Sequence, residues 1–527
     1  MMLASKCDTH VHAPRRDVTM IFETREPDYP KIKADLDIAA AMIRKADSFT
    51  DAKEAFRRYN EAYKELSSRY ARIFLKLYHD VSCEETMVQL AASIEHLNER
   101  VHYAPFGSAV AESPWCDQLE ACYGKPAILL LAFNADCESR ATGNETKPRT
   151  IDEASSRYQN LVIQAEGCYE RFADEFDALL QEVVSINHET ARYYGYEDYN
   201  DYANLLYSRF DYGEAEMMNL CRQIREKVVP CYEVFQKTYA NQLQQGAPKP
   251  RDLRQGMAAY TERLGKEAAE YWLMLSDTDA LDIEPSPVKM PNMGLQRLIE
   301  EEGLAPIITN PTGDFNDGWV LAHEFGHSFQ EYLAFRKQPL ALSAVASADV
   351  MEISSRLAEL FLHVHADCLY EDPERFSLFH LDRLLSSIIN FAMSTEFEHW
   401  LYHHVDATPQ QRKETYFSLY RQTHPSATAD ETTMLRSLYD EVTVYTMPKY
   451  QFCYVPAWIS AVEIAKDYRK QSESVYRRFV ELNGDLAFYT YRELAQKFGF
   501  SNAFEDGIVD RFIGWLEECT GLRLSDW

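Results

Sequence analysis

Glycine and proline are scarce in this 527-residue chain, at 19 and 21, too few for a loop-rich β-sandwich or a low-complexity array. There is no C-x-x-C pair. The eleven cysteines are odd in number and widely scattered, which argues against a disulfide framework or a cysteine-rich zinc site and for reduced thiols. Basic charge is also in deficit: 54 Lys and Arg face 83 Asp and Glu, and a net charge of −29 opposes any phosphate backbone or anionic membrane as the main partner. Long apolar runs are missing too, since the longest, 127–133, falls far short of the roughly 20 residues that a spanning helix needs. Residues 1–17 mix Lys, His, Pro and Arg without the apolar stretch of a secretion signal. The expectation is a soluble, cytoplasmic protein that engages neither nucleic acid nor membrane.

Aromatic residues are abundant, with 33 Tyr and 27 Phe, and the composition favours helix. From Ala52 the positions Ala52, Phe56, Tyr59, Tyr63, Leu66, Tyr70, Ile73 and Leu77 recur at steps of four and three, the pattern of a long helix burying one stripe. So many rings on one helix favour packing within the chain over a coiled-coil dimer. The polar segment 137–154 is the best candidate linker, a second break falls at 241–255, and the proline-rich stretch 282–318 holds most of the β character, including the run APIITN at 305–310. The expected organisation is an N-terminal helical lobe, 1–165, followed by a catalytic region, 166–527.

The chemistry concentrates in His323-Glu324-Phe325-Gly326-His327, an H-E-x-x-H. On a helix the two histidines sit one turn apart on one face, so both imidazoles reach one metal ion and Glu324 lies close enough to act on its water. Phe325, Phe329, Tyr332 and Leu333 supply a helical apolar stripe, and Asp317 is a plausible cap. A catalytic zinc needs three protein ligands and one open position. Twenty-five residues after His327, Glu352 opens a helical segment with Ser355 and Glu359 on its face. Glu352 is the natural third ligand, and Glu359, two turns along, is placed to orient a ligand imidazole.

These motifs resemble the thimet oligopeptidase and oligoendopeptidase F group of zinc peptidases, and the oligoendopeptidase F branch more closely. Weaker echoes lie in Ala191-Arg192-Tyr193-Tyr194-Gly195-Tyr196 and in Thr395-Glu396-Phe397-Glu398-His399-Trp400. The resemblance spans roughly 186–465. It implies His323, His327 and Glu352 as zinc ligands, Glu324 as general base, and Tyr454, or Tyr450 one turn earlier, as the phenol at the oxyanion. It also implies a mostly α-helical body of two lobes flanking a deep channel, with a small β-sheet near the H-E-x-x-H helix, acting on short peptides. Two departures stand out: the stretch 282–309 is poorer in glycine than the family's substrate loop, and Lys449 and Trp458 stand where a His and a Tyr are expected.

The expected activity is hydrolysis of internal bonds in short unfolded peptides by a metal-activated water and Glu324. The run 305–310 is either an edge strand lying alongside substrate or a buried structural strand. A zinc carboxypeptidase is the rival enzyme, with Arg356 or Lys449 as the cation for a terminal carboxylate. A dedicated processing enzyme or a peptide-binding relative with an altered cleft are the remaining alternatives.

Overall fold

The spacing that begins at Ala52 becomes a 31-residue helix, Phe49–His79 (α1). Its first turn is capped by Ser48, whose hydroxyl accepts the Asp51 amide at 3.2 Å, and Lys76 and His79 sit in the last turn, where the dipole favours them. The computed structural model describes residues 22–524 except 24, 84, 87–88, 91–102, 142–146, 279, 291–292 and 338–345, so expectations for 1–17 lie outside the described residues. The stripe of α1 packs within the chain: Phe56 stacks on Tyr123 at 4.1 Å and Tyr59 on Phe106 at 4.0 Å. Together with Ile32, Leu36 and Leu131 these rings form an N-terminal core of their own.

A second core joins Phe133, Tyr158 and Leu161 to Phe176, Phe397, Tyr439 and Tyr445. It therefore runs across the expected boundary at 165/166. The expected linker 137–154 divides: Cys137 and Ala141 are buried at the end of helix Lys125–Ala141, residues 142–146 are outside the described set, and the next helix, Asp152–Ala165, starts inside it.

The largest core carries a three-stranded sheet of order β1-β3-β2, with β1 Leu281–Asp282, β2 Gly294–Gln296 and β3 Ile307–Thr309. Leu281 pairs with Ile307 in parallel, and Leu295 pairs with Ile308 antiparallel. Within the run 305–310, Ile307–Thr309 forms the central strand, buried along its length and paired on both sides, which decides for the buried structural strand over the edge strand. Its unbroken apolar character is what a strand covered on both faces requires. The edges are β1 and β2, and the three residues of β2 include a glycine and left no strand signal. Four helices then build the site: α2 Asn316–Lys337, α3 Ala348–His365, α4 Pro373–His403 and α5 Tyr454–Ala465. Among the described residues the molecule is mostly α-helical with this one small sheet.

No helix among the described residues is long and apolar enough to cross a membrane, and the ten described cysteines are free.

Candidate active site

The site is made by two helices that touch through backbone. Gly326 of α2 faces α3 so closely that a Cβ there would lie 2.7 Å from Ser355 Cα and 2.8 Å from the Ser354 carbonyl oxygen. Only glycine permits that approach, and it brings the ligand side chains of both helices to one point. Asp317 does not cap α2. It lies inside the first turn, and its carboxylate accepts the amides of Thr312, Gly313 and Asp314 at 3.1, 2.7 and 3.2 Å, tying down the loop that enters the helix. Ser347 caps α3, accepting the Val350 amide at 3.4 Å.

His323, His327 and Glu352 converge as their spacing predicts. His323 Nε2 lies 3.2 Å from His327 Nε2, and Glu352 Oε2 lies 3.7 Å from the first and 3.4 Å from the second. Donors bonded to one zinc at about 2.0–2.1 Å in a tetrahedron stand roughly 3.3 Å apart, so the residues present fit such an ion. These side chains are 12, 11 and 5% exposed, enough to admit solvent to a largely dry cluster. Burial opposes charge on Glu352, yet the His327 contact, His323 and Arg356 hold its carboxyl below the usual range. Ser355 fixes it further, donating to Oε2 at 2.9 Å.

Glu359 orients the first imidazole, as expected. Its Oε1 accepts from His323 Nδ1 at 2.6 Å and from Arg356 Nη1 at 2.7 Å, while Oε2 accepts from His380 Nε2 at 2.7 Å. With its proton on Nδ1, His323 presents the Nε2 lone pair to the cluster. His380 Nδ1 continues the chain to His363 Nε2 at 2.8 Å. Neither His380 nor His363 carried any sequence signal, because each belongs to an ordinary helical pattern.

Glu324 is 8% exposed, and burial pushes its carboxyl upward against the pull of the two histidines. It lies against the edge strand: a Cβ on Gly294 would come within 2.6 Å of Glu324 Cγ and 2.8 Å of Oε1. Arg297, just beyond β2, lies over the Phe74 ring at 5.0 Å and contributes positive charge near Glu324, Glu331 and Tyr450. Sequence reading missed Arg297, which lies 26 positions before His323 with no spacing to mark it.

The tyrosines reach the cluster from α5 and the turn before it. Pro456 is the third residue of α5, where no intrahelical donor is lost, so the helix forms despite it. Tyr450 directs its hydroxyl to Glu352 Oε1 at 3.5 Å; Tyr454 stacks on Phe391 at 4.7 Å and lies against the Arg356 guanidinium at 4.9 Å. Trp458 also lies against the Arg356 guanidinium, at 4.7 Å. Lys449 is fully buried with a left-handed φ of 70°, and its ammonium reaches Glu214 at 3.4 Å. Its amide donates to Glu398 Oε1 at 2.8 Å, and its carbonyl accepts from Arg209, which is itself paired with Asp349 at 3.1 Å.

A two-histidine, one-carboxylate cluster with a buried glutamate beside it is the arrangement that a metallopeptidase requires. Residues 304–497 match the model of peptidase family M3. The matched segment, which carries all three residues of the cluster, is similar to peptidase family M3, and the chain is a metalloendopeptidase. No curated protein matches it. Among solved structures it has the fold of PZ peptidase A, at 20% identity over 95% of this chain and 99% of that one, with a TM-score of 0.82. It likewise has the fold of a Bacillus anthracis protein described as an oligoendopeptidase F, at 18% identity, 96 and 98% coverage and a TM-score of 0.79. Similarity to a Pyrococcus furiosus carboxypeptidase is weaker, at 13% identity, 94 and 100% coverage and a TM-score of 0.56.

Proposed function

We propose that the chain is a zinc-dependent oligopeptidase that hydrolyses internal bonds of short, unfolded peptides, with His323, His327 and Glu352 as ligands and Glu324 as general base. The observation that carries this reading is the three-donor cluster, spaced 3.2–3.7 Å, with a buried glutamate between it and an edge strand. Zinc held there supplies Lewis acidity and brings the pKa of a water towards about 7. Glu324 takes the proton of that water as it attacks, then hands it to the departing amine. Its burial suits both halves of the task, since a carboxyl raised above its usual range is a better proton acceptor and remains an acid for the leaving group. The outer edge of β2 offers main-chain groups to an extended peptide, which would give binding tolerant of side-chain sequence. Of the two tyrosines, Tyr450 has the hydroxyl nearer the ligand carboxylate and is the better candidate for the oxyanion donor.

The carboxypeptidase reading loses its two cations. Arg356 is 7% exposed and committed to Glu359, and Lys449 is buried against Glu214. A terminal carboxylate would have to turn to Arg297. Peptide pairs with free and amidated C-termini separate the readings: internal cleavage of both at similar rates supports the proposal, and cleavage restricted to free C-termini with release of single residues overturns it. Glu352→Ala should lose one equivalent of zinc together with the activity.

A further inference from the structure

A second cluster repeats the donor set of the first with different residues. His399 and His403 stand four apart near the end of α4, and Glu214 opens the helix Glu214–Gln223 beside them. One ligand atom from each of the three lies within 4.8 Å of the others. The two imidazoles sit with ring centroids 4.5 Å apart, against 4.7 Å for His323 and His327. His399 Nδ1 meets Glu214 Oε1 at 2.6 Å, and Asp198 Oδ2 lies 3.8 Å from His403 Nε2, within reach as a fourth donor. The side of His403 that carries Nδ1 is taken up by the protein, 2.9 Å from the His399 carbonyl and 2.8 Å from the amide of Asn200, itself fully buried. That ring is therefore held in place rather than free to swing.

We propose that Glu214, His399 and His403 form a second site for a divalent transition-metal ion, distinct from the H-E-x-x-H cluster. Two imidazoles and one or two carboxylates suit zinc, and also copper or nickel; calcium and magnesium, which require several oxygen ligands, fit poorly. The donors are more open than those of the first cluster: Glu214 is 15% exposed, His399 32% and His403 41%, which leaves room for water to complete the coordination. Lys449 bears on the strength of the site. Its ammonium approaches the same Glu214 oxygen at 3.4 Å from the buried side and competes with a metal for it, so this is the weaker of the two sites. The next residue, Tyr450, reaches Glu352, so adjacent residues of one turn touch both clusters.

The test is equilibrium dialysis of the full chain against zinc, with free and bound metal measured across the titration. The wild type should show two sites of unequal affinity. His403→Ala and Glu214→Gln should each lose the weaker site and keep the tighter one; His327→Ala should lose the tighter and keep the weaker. His404→Ala, which removes an exposed histidine next to the cluster, should retain both. His403 is exposed enough for truncation to spare the core, and unchanged melting temperatures for the metal-free variants check this. Cobalt absorption gives a second readout, since His403→Ala should remove one of two overlapping sets of visible bands. A wild-type isotherm with a single site, or two sites surviving in both His399→Ala and His403→Ala, overturns the proposal. Because His327→Ala and His403→Ala address different sites, failure of the catalytic reading and failure of this one give different isotherms.

Discussion

Gly326 and Ser355 meet backbone to backbone, a Cβ at the first position falling 2.7 Å from the Cα of the second. That contact sets the separation of α2 and α3, and with it the distance from the two histidines to Glu352. Gly326→Ala should therefore act against the usual trend. At an unconstrained helix position the change gains about 1 kcal/mol of helix propensity. Here the methyl must push two helices apart, and overpacking of this kind costs about 1–3 kcal/mol. Denaturant titration should show a less stable protein, and zinc titration a weakened tighter site.

Tyr450→Phe removes one hydroxyl and keeps the ring. If that hydroxyl faces the developing oxyanion, kcat should fall by about 10²–10³ with zinc content unchanged and little change in KM. Tyr454→Phe should cost less, because its ring packs on Phe391 and Arg356 whereas the Tyr450 hydroxyl is the one directed to Glu352. Steady-state kinetics on one internally quenched peptide compares the two. A larger loss at Tyr454 would assign the role to the later residue.

Lys289 ties the sheet together from inside. It is 3% exposed; its ammonium pairs with Asp282 at 2.6 Å and donates to the carbonyls of Asp282, Glu284 and Thr309 at 3.0, 2.6 and 3.1 Å. Lys289→Met would leave a partly buried carboxylate with His79 as its remaining partner and three carbonyls without their donor, and breaking a buried pair of this kind costs about 3–5 kcal/mol. A shift of the unfolding midpoint in urea, at unchanged slope, measures it.

Glu441 supplies a pH-dependent term. Burial raises its carboxyl to about 7, and Gln451, Tyr416 and Ser394 are its hydrogen-bond partners. A carboxyl whose folded pKa lies above its unfolded value holds its proton longer in the folded state. Its contribution to stability is therefore complete below the unfolded pKa and is lost as pH rises through about 7. Glu441→Gln should remove that loss, so the variant gains on the wild type in melting temperature between pH 5 and pH 8, conditions that bracket the titration. A constant difference across that range would show that Glu441 titrates normally.

The convergence of His323, His327 and Glu352 could be read from the sequence because they lie on helices whose spacing decides which side chains share a face. Glu359 followed from the same periodicity. What could not be read depends on contacts between distant positions: Arg209 with Asp349 across 140 residues, or Lys449 with Glu214 across 235. The place of the run 305–310 in the sheet stayed open for a related reason. A continuous apolar run marks a strand but not its neighbours, and the edge strands, Leu281–Asp282 and Gly294–Gln296, are too short to show alternation. The role of Gly326 was equally hidden, since a glycine in a helix looks like a weakness until the opposing backbone is seen.

The most direct measurement is peptide turnover by Glu324→Gln at matched zinc occupancy. The amide cannot accept the water proton at neutral pH, so the account predicts intact metal, intact fold and a rate lower by about 10²–10⁴. Turnover within tenfold of the wild type, with zinc still bound, would contradict it.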